Sequence, residues 1–115
     1  LTNAAYSVTK AAELSLSRVF ADSYAADNVL VNAVTPGPVA SPLWTAEGGL
    51  ADQNAAAKGI SREEALQAQV ARVPLGRFAE PEEIADVIVF LCSERASTVT
   101  GAAWSADGGA VAIVI

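Results

Sequence analysis

From about Ala4 to Ala26 the chain contains no Gly or Pro and is rich in Ala, Leu, Ser and Glu. Val8, Ala12, Leu16, Val19 and Phe20 recur at helical spacing, which predicts one long helix of small and apolar residues. Asn3 is the expected N-cap, and Asp27-Asn28 breaks the helix. A β-branched run, Val29 to Thr35, follows and is bounded by Asn28 and Pro36-Gly37. A near-continuous apolar strand directly after a helix reads as a buried parallel strand. Pro36, Gly37, Pro38 and Pro42 then force a loop.

Residues from about Ser41 to Lys58 mix Gly, Ala and polar types without firm periodicity, and read as a lid or an insertion over a pocket. Ser61 to Glu64 matches a capping box, so a helix is expected to run to about Val73. Pro74 to Phe78 is a turn segment. Pro81-Glu82-Glu83 opens another helix, with Pro in its first turn, acids at the positive dipole end, and an apolar stripe of Ile84, Val87, Ile88 and Leu91. Ser97 to Ser105 reads as a turn into a second strand that ends at Asp107-Gly108-Gly109. A strand, a helical crossover and another strand make a parallel, right-handed α/β unit. Two parallel strands alone are a poor sheet, so the pattern predicts one end of a larger doubly wound sheet, with the chain beginning inside a domain.

The chain has 115 residues, room for one small domain. Its formal charge of −6 and lack of a basic cluster argue against nucleic acid or an anionic membrane as partner. It has no His, which excludes a His-based triad and His-ligated metal, and no metal site is expected. Cys92 is the single cysteine, so no internal disulfide forms; the expectation is a packing role for it and a cytoplasmic location. No segment is long and apolar enough to read as a membrane-spanning helix, and no signal-peptide pattern opens the chain.

Tyr6 and Lys10 are four residues apart, and so share one helix face. A free Tyr ionises near pH 10, which makes it a poor acid or base at neutrality. A fixed ammonium nearby stabilises tyrosinate and makes the phenol useful for proton transfer, and can also hydrogen-bond a sugar hydroxyl. Spacing alone is a weak signal on an Ala-rich helix. Small neighbours (Ala4, Ala5, Ser7, Thr9, Ala11, Ala12) leave space for a planar ligand, and the strand ending at Pro36-Gly37 would place a ligand crevice at the C-terminal edge of a parallel sheet.

With these residues in view the chain resembles the short-chain dehydrogenase/reductases. Tyr6-Ser-Val-Thr-Lys10 is similar to their Tyr-x-x-x-Lys motif, and Val31 to Gly37 to their strand entering a Pro-Gly turn. Pro74 to Ile84, and Thr100-Gly101 through Gly109, are similar to later family segments in the same order. The look is that of 3-oxoacyl-carrier-protein reductase-type members. The resemblance implies a partial Rossmann-type domain over residues 1–115, with a substrate lid at about 38–73 and without its N-terminal dinucleotide-binding half.

It further implies hydride transfer between NAD or NADP and a small carbonyl or alcohol substrate. Tyr6 would be the acid/base and Lys10 the group that binds the nicotinamide ribose and lowers the Tyr pKa. Pro36, Gly37, Val39 and Ser41 would join Tyr6 and Lys10 at the cofactor, Ser41 standing where many relatives have Thr. Pro38, Leu43 and Trp44 would face substrate, and Pro38 removes one amide donor. The Gly-rich turn and catalytic Ser of the family lie upstream of the Tyr, so the 115-residue chain alone is expected to be inactive. A homo-oligomer, dimer or tetramer, is implied for the full-length form. The alternatives are a catalytically inactive assembly or regulatory subunit, and a non-functional truncated product.

Of the remaining residues, Asn32 is expected to be a structural hydrogen-bonder and Arg77 to have a structural role. Trp44 suits a pocket wall or a buried contact equally. Glu82, Glu83 and Asp86 read as a solvated helix face, and the apolar run Ala110 to Ile115 as a subunit contact.

Overall fold

A computed structural model of the chain describes residues 3–112. Its elements are α1 (Ala4–Tyr24), β1 (Ala33–Pro36), α2 (Pro42–Thr45), α3 (Leu50–Lys58), α4 (Arg62–Val70), α5 (Pro81–Leu91) and β2 (Ala103–Ala106). Single 3-10 turns follow α1 (Ala25–Asp27) and α5 (Glu94–Ala96). No helix among the described residues is long and apolar enough to cross a membrane. Two compact units divide the chain: one built from the segments before Pro36 together with Ile88–Trp104, the other from Pro36–Val87 and the segment beginning at Ser105. The last three residues of the apolar run expected as a subunit contact lie outside the described residues.

In the first unit, α1 is a helix of 21 residues, as the unbroken Gly- and Pro-free stretch predicts. Asn3 stands at the N-cap position, but its side chain caps nothing; only its carbonyl enters the helix, accepting from the Ser7 N–H at 2.9 Å. That corrects the expected capping role. The helix stops where Asn28 takes a left-handed conformation (φ 60°), which Asn tolerates better than most residues. Among the described residues of α1 only Ala21 is buried, while Val8, Leu16 and Val19 are more than half exposed.

The strand after α1 is shorter than its β-branched run predicts. Val29 to Asn32 lies outside β1: the Val31 carbonyl accepts the Gly101 N–H at 2.7 Å, but the other bonds across to this stretch run through side chains. The Val31 N–H donates to Thr100 Oγ1 at 3.1 Å, and Asn32 Nδ2 donates to the Val99 carbonyl at 2.7 Å. Asn32 Oδ1 in turn accepts from the Ala102 N–H at 3.1 Å. Asn32 is therefore the clip that sets the register of β1 against β2. Pairing proceeds from the Ala33 N–H to the Ala102 carbonyl and, in the second unit, from the Gly37 N–H to the Ala106 carbonyl. Donor and acceptor numbers rise together, so the two strands are parallel.

Cys92 does not pack as expected. It is exposed at the rim of a hollow of about 440 Å³ lined by Leu30, Val31, Val34, Ile88 and Leu91. Leu91 takes the buried position at the end of α5, and one step further round the helix Cys92 points out. Ile88 is likewise 46% exposed, so the stripe read from the sequence is only partly covered, with Ile84 and Val87 half-buried.

The second unit shows why periodicity failed over Ser41 to Lys58. The stretch is helical, as α2 and α3, but the residues buried in α3 and in the adjoining α4 are all alanines, Ala51, Ala55 and Ala65. Ala-on-Ala packing leaves no contrast of large apolar and polar positions for the sequence pattern to reveal. Arg62 at the head of α4 pairs with Asp52 of α3 at 3.0 Å. The Ser61 capping box is fully formed: Ser61 Oγ accepts the Glu64 N–H at 3.1 Å, and Glu64 Oε2 accepts the Ser61 N–H at 2.8 Å. These bonds hold the Glu64 carboxyl below its ordinary pKa. The helix ends at Val70, short of the expected Val73, and Val73 turns inward to be buried.

Glu83 is not simply part of a solvated face. Both of its carboxylate oxygens accept from the Arg77 guanidinium at 2.7 Å, and one also caps α5 by accepting the Glu80 N–H at 2.8 Å. A planar fork meeting a carboxylate gives Arg77 the structural role expected of it. The Arg77 hydrogen bonds, then the backbone bond from Glu80, push the Glu83 pKa down to about 2.

Two predictions arise here. Ala51 is fully buried, so Ala51→Leu overpacks the α3–α4 contact and is expected to lower stability by about 1–3 kcal/mol in chemical denaturation. Glu83→Gln keeps an acceptor for Glu80 and removes the charge. A carboxylate with depressed pKa stabilises the fold above its unfolded value, and loses that contribution as pH falls through its folded value. The melting temperature of the wild type is therefore expected to exceed that of Glu83→Gln above pH 4.5, the gap closing as pH falls toward about 2. A gap that stays constant through that window would contradict the assignment.

Candidate active site

Tyr6 and Lys10 lie in the first two turns of α1 and are both exposed, Tyr6 by 64%. The structure brings them together: Lys10 Nζ stands 5.9 Å from the centroid of the Tyr6 ring, within reach of a cation–π contact. A third residue, which the motif reading did not include, completes the group. Lys10 Nζ donates to Glu13 Oε2 at 2.7 Å, one turn further along the helix. The Glu13 hydrogen bond, and then its charge, raises the Lys10 pKa above its ordinary value. The signal was present in the sequence as an acid three residues after Lys10, a spacing that places side chains side by side.

The remaining expected site residues form one continuous run in the second unit. Pro36 ends β1. Gly37 follows at a point where a side chain has no room, since a Cβ there would lie 2.8 Å from the Cα and carbonyl oxygen of Asp107. Close backbone approach, rather than a left-handed conformation, is what requires glycine. The Pro38 carbonyl accepts from the Ala79 N–H at 3.0 Å, and the Ala40 N–H donates to the Ala79 carbonyl at 2.8 Å, making Val39 and Ala79 a parallel bridge. Pro38 therefore loses an amide donor without loosening the loop.

Ser41 heads α2, its carbonyl accepting from the Trp44 and Thr45 N–H groups at 2.9 and 3.0 Å. Leu43 is 65% exposed. Trp44 is half-buried, with its ring edge-on to Phe78 at 5.3 Å between centroids.

Beside this loop the second unit holds a cavity of about 560 Å³, lined by Pro38, Val73, Leu75, Arg77, Ile84 and Asp107, among others. Its walls are mainly apolar. Leu43 and Trp44 do not line it. The turn at its rim is held by Asp107, whose carboxylate oxygens accept from the Gly109 and Val111 N–H groups at 2.9 and 3.0 Å. Gly108 sits in that turn at φ 64°, with Val73 only 2.6 Å from where a Cβ would stand.

Comparison with known proteins shows the family and the fold of the chain. The sequence profile of a family described as enoyl-(acyl carrier protein) reductase matches residues 2–111. The 2-(S)-hydroxypropyl-CoM dehydrogenase 3 of Xanthobacter autotrophicus is 42% identical over 97% of this chain and 41% of its own length. A 3-oxoacyl-[acyl-carrier-protein] reductase of Aquifex aeolicus is 38% identical over 90% of this chain and 36% of its own. Among solved structures, L-sorbose reductase from Gluconobacter frateurii, complexed with NADPH and L-sorbose, superposes with a TM-score of 0.82 at 37% identity. That match covers 95% of this chain and 41% of the reductase. The chain thus spans about two-fifths of the length of the relatives it matches. Its α/β architecture with parallel strands is part of a Rossmann-type fold. By sequence profile, identity and fold, the chain belongs to the short-chain dehydrogenase/reductase family.

Proposed function

We propose that the chain is the C-terminal half of an oxidoreductase that moves a hydride between NAD(P)(H) and a carbonyl or alcohol substrate, with Tyr6 as its acid/base. The observation that carries this reading is the Tyr6–Lys10 contact on an exposed helix face. The ammonium stands 5.9 Å from the ring centroid, near enough for its charge to act on the phenol as a proton passes to or from a substrate oxygen. Lys10 has three donors and gives one to Glu13; the others suit the hydroxyls of a ribose. The small side chains beside the pair, Ser7 and Ala11 among them, leave the face open to a flat ligand.

A nicotinamide cofactor, when bound, supplies or accepts the hydride. The residues of this chain do the rest. Tyr6 gives its proton to the oxygen of a carbonyl, or takes one from an alcohol, while Lys10 holds the charge balance beside it. Gly37, Val39 and Ser41, in a loop pinned to Ala79, would help to hold that cofactor. Segment 38–73, with α2 to α4, serves as the substrate lid, Pro38, Leu43 and Trp44 presenting apolar and aromatic surface to the substrate.

The NADPH and L-sorbose complex of a relative supports a cofactor of this class. Exposed Val8, Leu16 and Val19 on α1 support a homo-oligomer, dimer or tetramer, as the working form. A single Cys accords with a cytoplasmic setting. The 115 residues by themselves are inactive in this reading.

The protein carrying this sequence is expected to oxidise NADH or NADPH in the presence of a carbonyl substrate, followed by the loss of the reduced cofactor's absorbance. Tyr6→Phe keeps the ring, removes the proton and is expected to lower kcat by about 10²–10⁴-fold. Undiminished turnover by that variant would sink the reading.

A further inference from the structure

Tyr6, Lys10 and Glu13 occupy positions i, i+4 and i+7 of α1, one helix face in three successive steps. The Lys10 ammonium lies between two groups of different character. It is 2.7 Å from Glu13 Oε2 and 5.9 Å from the centre of the Tyr6 ring. Lys10 and Glu13 are 52% and 57% exposed, so neither is held by packing. A lysine side chain in that setting has four rotatable bonds and many accessible positions, and the ion pair selects among them.

The charged and titratable groups that act on Lys10 are Glu13 and Tyr6. The other cation of α1, Arg18, is paired with Asp22 at 2.8 Å about two turns away, and approaches Gly101 rather than Lys10. The acid/base chemistry described above gives Glu13 no part.

We propose that Glu13 is a positioning residue for the Lys10 ammonium: its carboxylate fixes where that charge stands relative to the Tyr6 ring. The inference rests on Tyr6 being the acid/base of the site. A carboxylate bonded to the ammonium offsets part of its positive charge. Removing the negative charge takes away the partner that selects one position of the ammonium beside the phenol. The ammonium also loses its anchor, so fewer molecules hold the reactive arrangement.

Glu13→Gln tests this, because it keeps the length of the side chain and an oxygen acceptor while removing the charge. The kcat/KM profile for alcohol oxidation is measured against pH for both proteins. The plateau is expected to fall several-fold. By NMR of ¹³C-labelled lysine, Lys10 is expected to titrate at lower pH in Glu13→Gln than in the wild type, and Glu13→Asp to restore both readouts in part. An unchanged Lys10 titration overturns the proposal whatever the activity. So does a Lys10 titration that moves while the kcat/KM plateau keeps its wild-type height. Full turnover by Tyr6→Phe is a separate outcome: it removes the acid/base reading, and the NMR comparison still decides whether Glu13 governs Lys10.

Discussion

The parallel pairing of β1 with β2 is the constraint on which the rest of the chain depends. Parallel strands cannot be joined by a tight turn, so the chain between them must run back along the sheet through a long connection, here α2 to α5. Asn32 sets the register of that pairing with both ends of its side-chain amide, and Gly37 permits the approach of the backbone to Asp107 at the other end. The two residues act by different physics. One satisfies backbone groups that the ladder leaves without partners, and the other has no Cβ to obstruct it.

Small residues recur as the means by which this chain packs. Ala51, Ala55 and Ala65 bring α3 and α4 close, and Ala21 and Ala96 are the most deeply buried positions of the first unit. Such contacts gain little apolar area each and tolerate almost no added volume. Large apolar side chains stand instead at the exposed surface, along α1 and on α5. That distribution accords with a chain spanning two-fifths of its relatives' length.

Charge is used sparingly and in pairs. Arg77 with Glu83 and Arg62 with Asp52 join separate segments, whereas Lys10 with Glu13 links successive turns within α1. Their setting distinguishes them. The Arg77 fork is bidentate and the same Glu83 carboxylate caps a helix, so one side chain both ends the turn and begins α5. Lys10 is held by a single contact on an open face beside a phenol, where a fixed charge has chemistry to influence.

The sequence by itself determined the features that arise between near neighbours in the chain. The extent of α1 was legible because a stretch without Gly or Pro has nothing to stop a helix, and the start of α4 because a Ser and a Glu three residues apart satisfy each other's backbone groups. Tyr6 and Lys10 were legible for the same reason, since helical geometry fixes residues four apart on one face. Tertiary structure alone decided the rest. That β1 begins at Ala33 rather than Val29 depends on Thr100 and Val99, nearly seventy residues away. The helices of the Ser41 to Lys58 stretch were hidden because alanine buries well without announcing a face. Cys92 stands exposed because burial at the end of α5 goes to Leu91, and Glu83, still on the solvated face, gains a partner because the turn folds Arg77 back onto it. Local sequence encodes backbone conformation and neighbour pairs; which side chains lose water is settled only when distant segments meet.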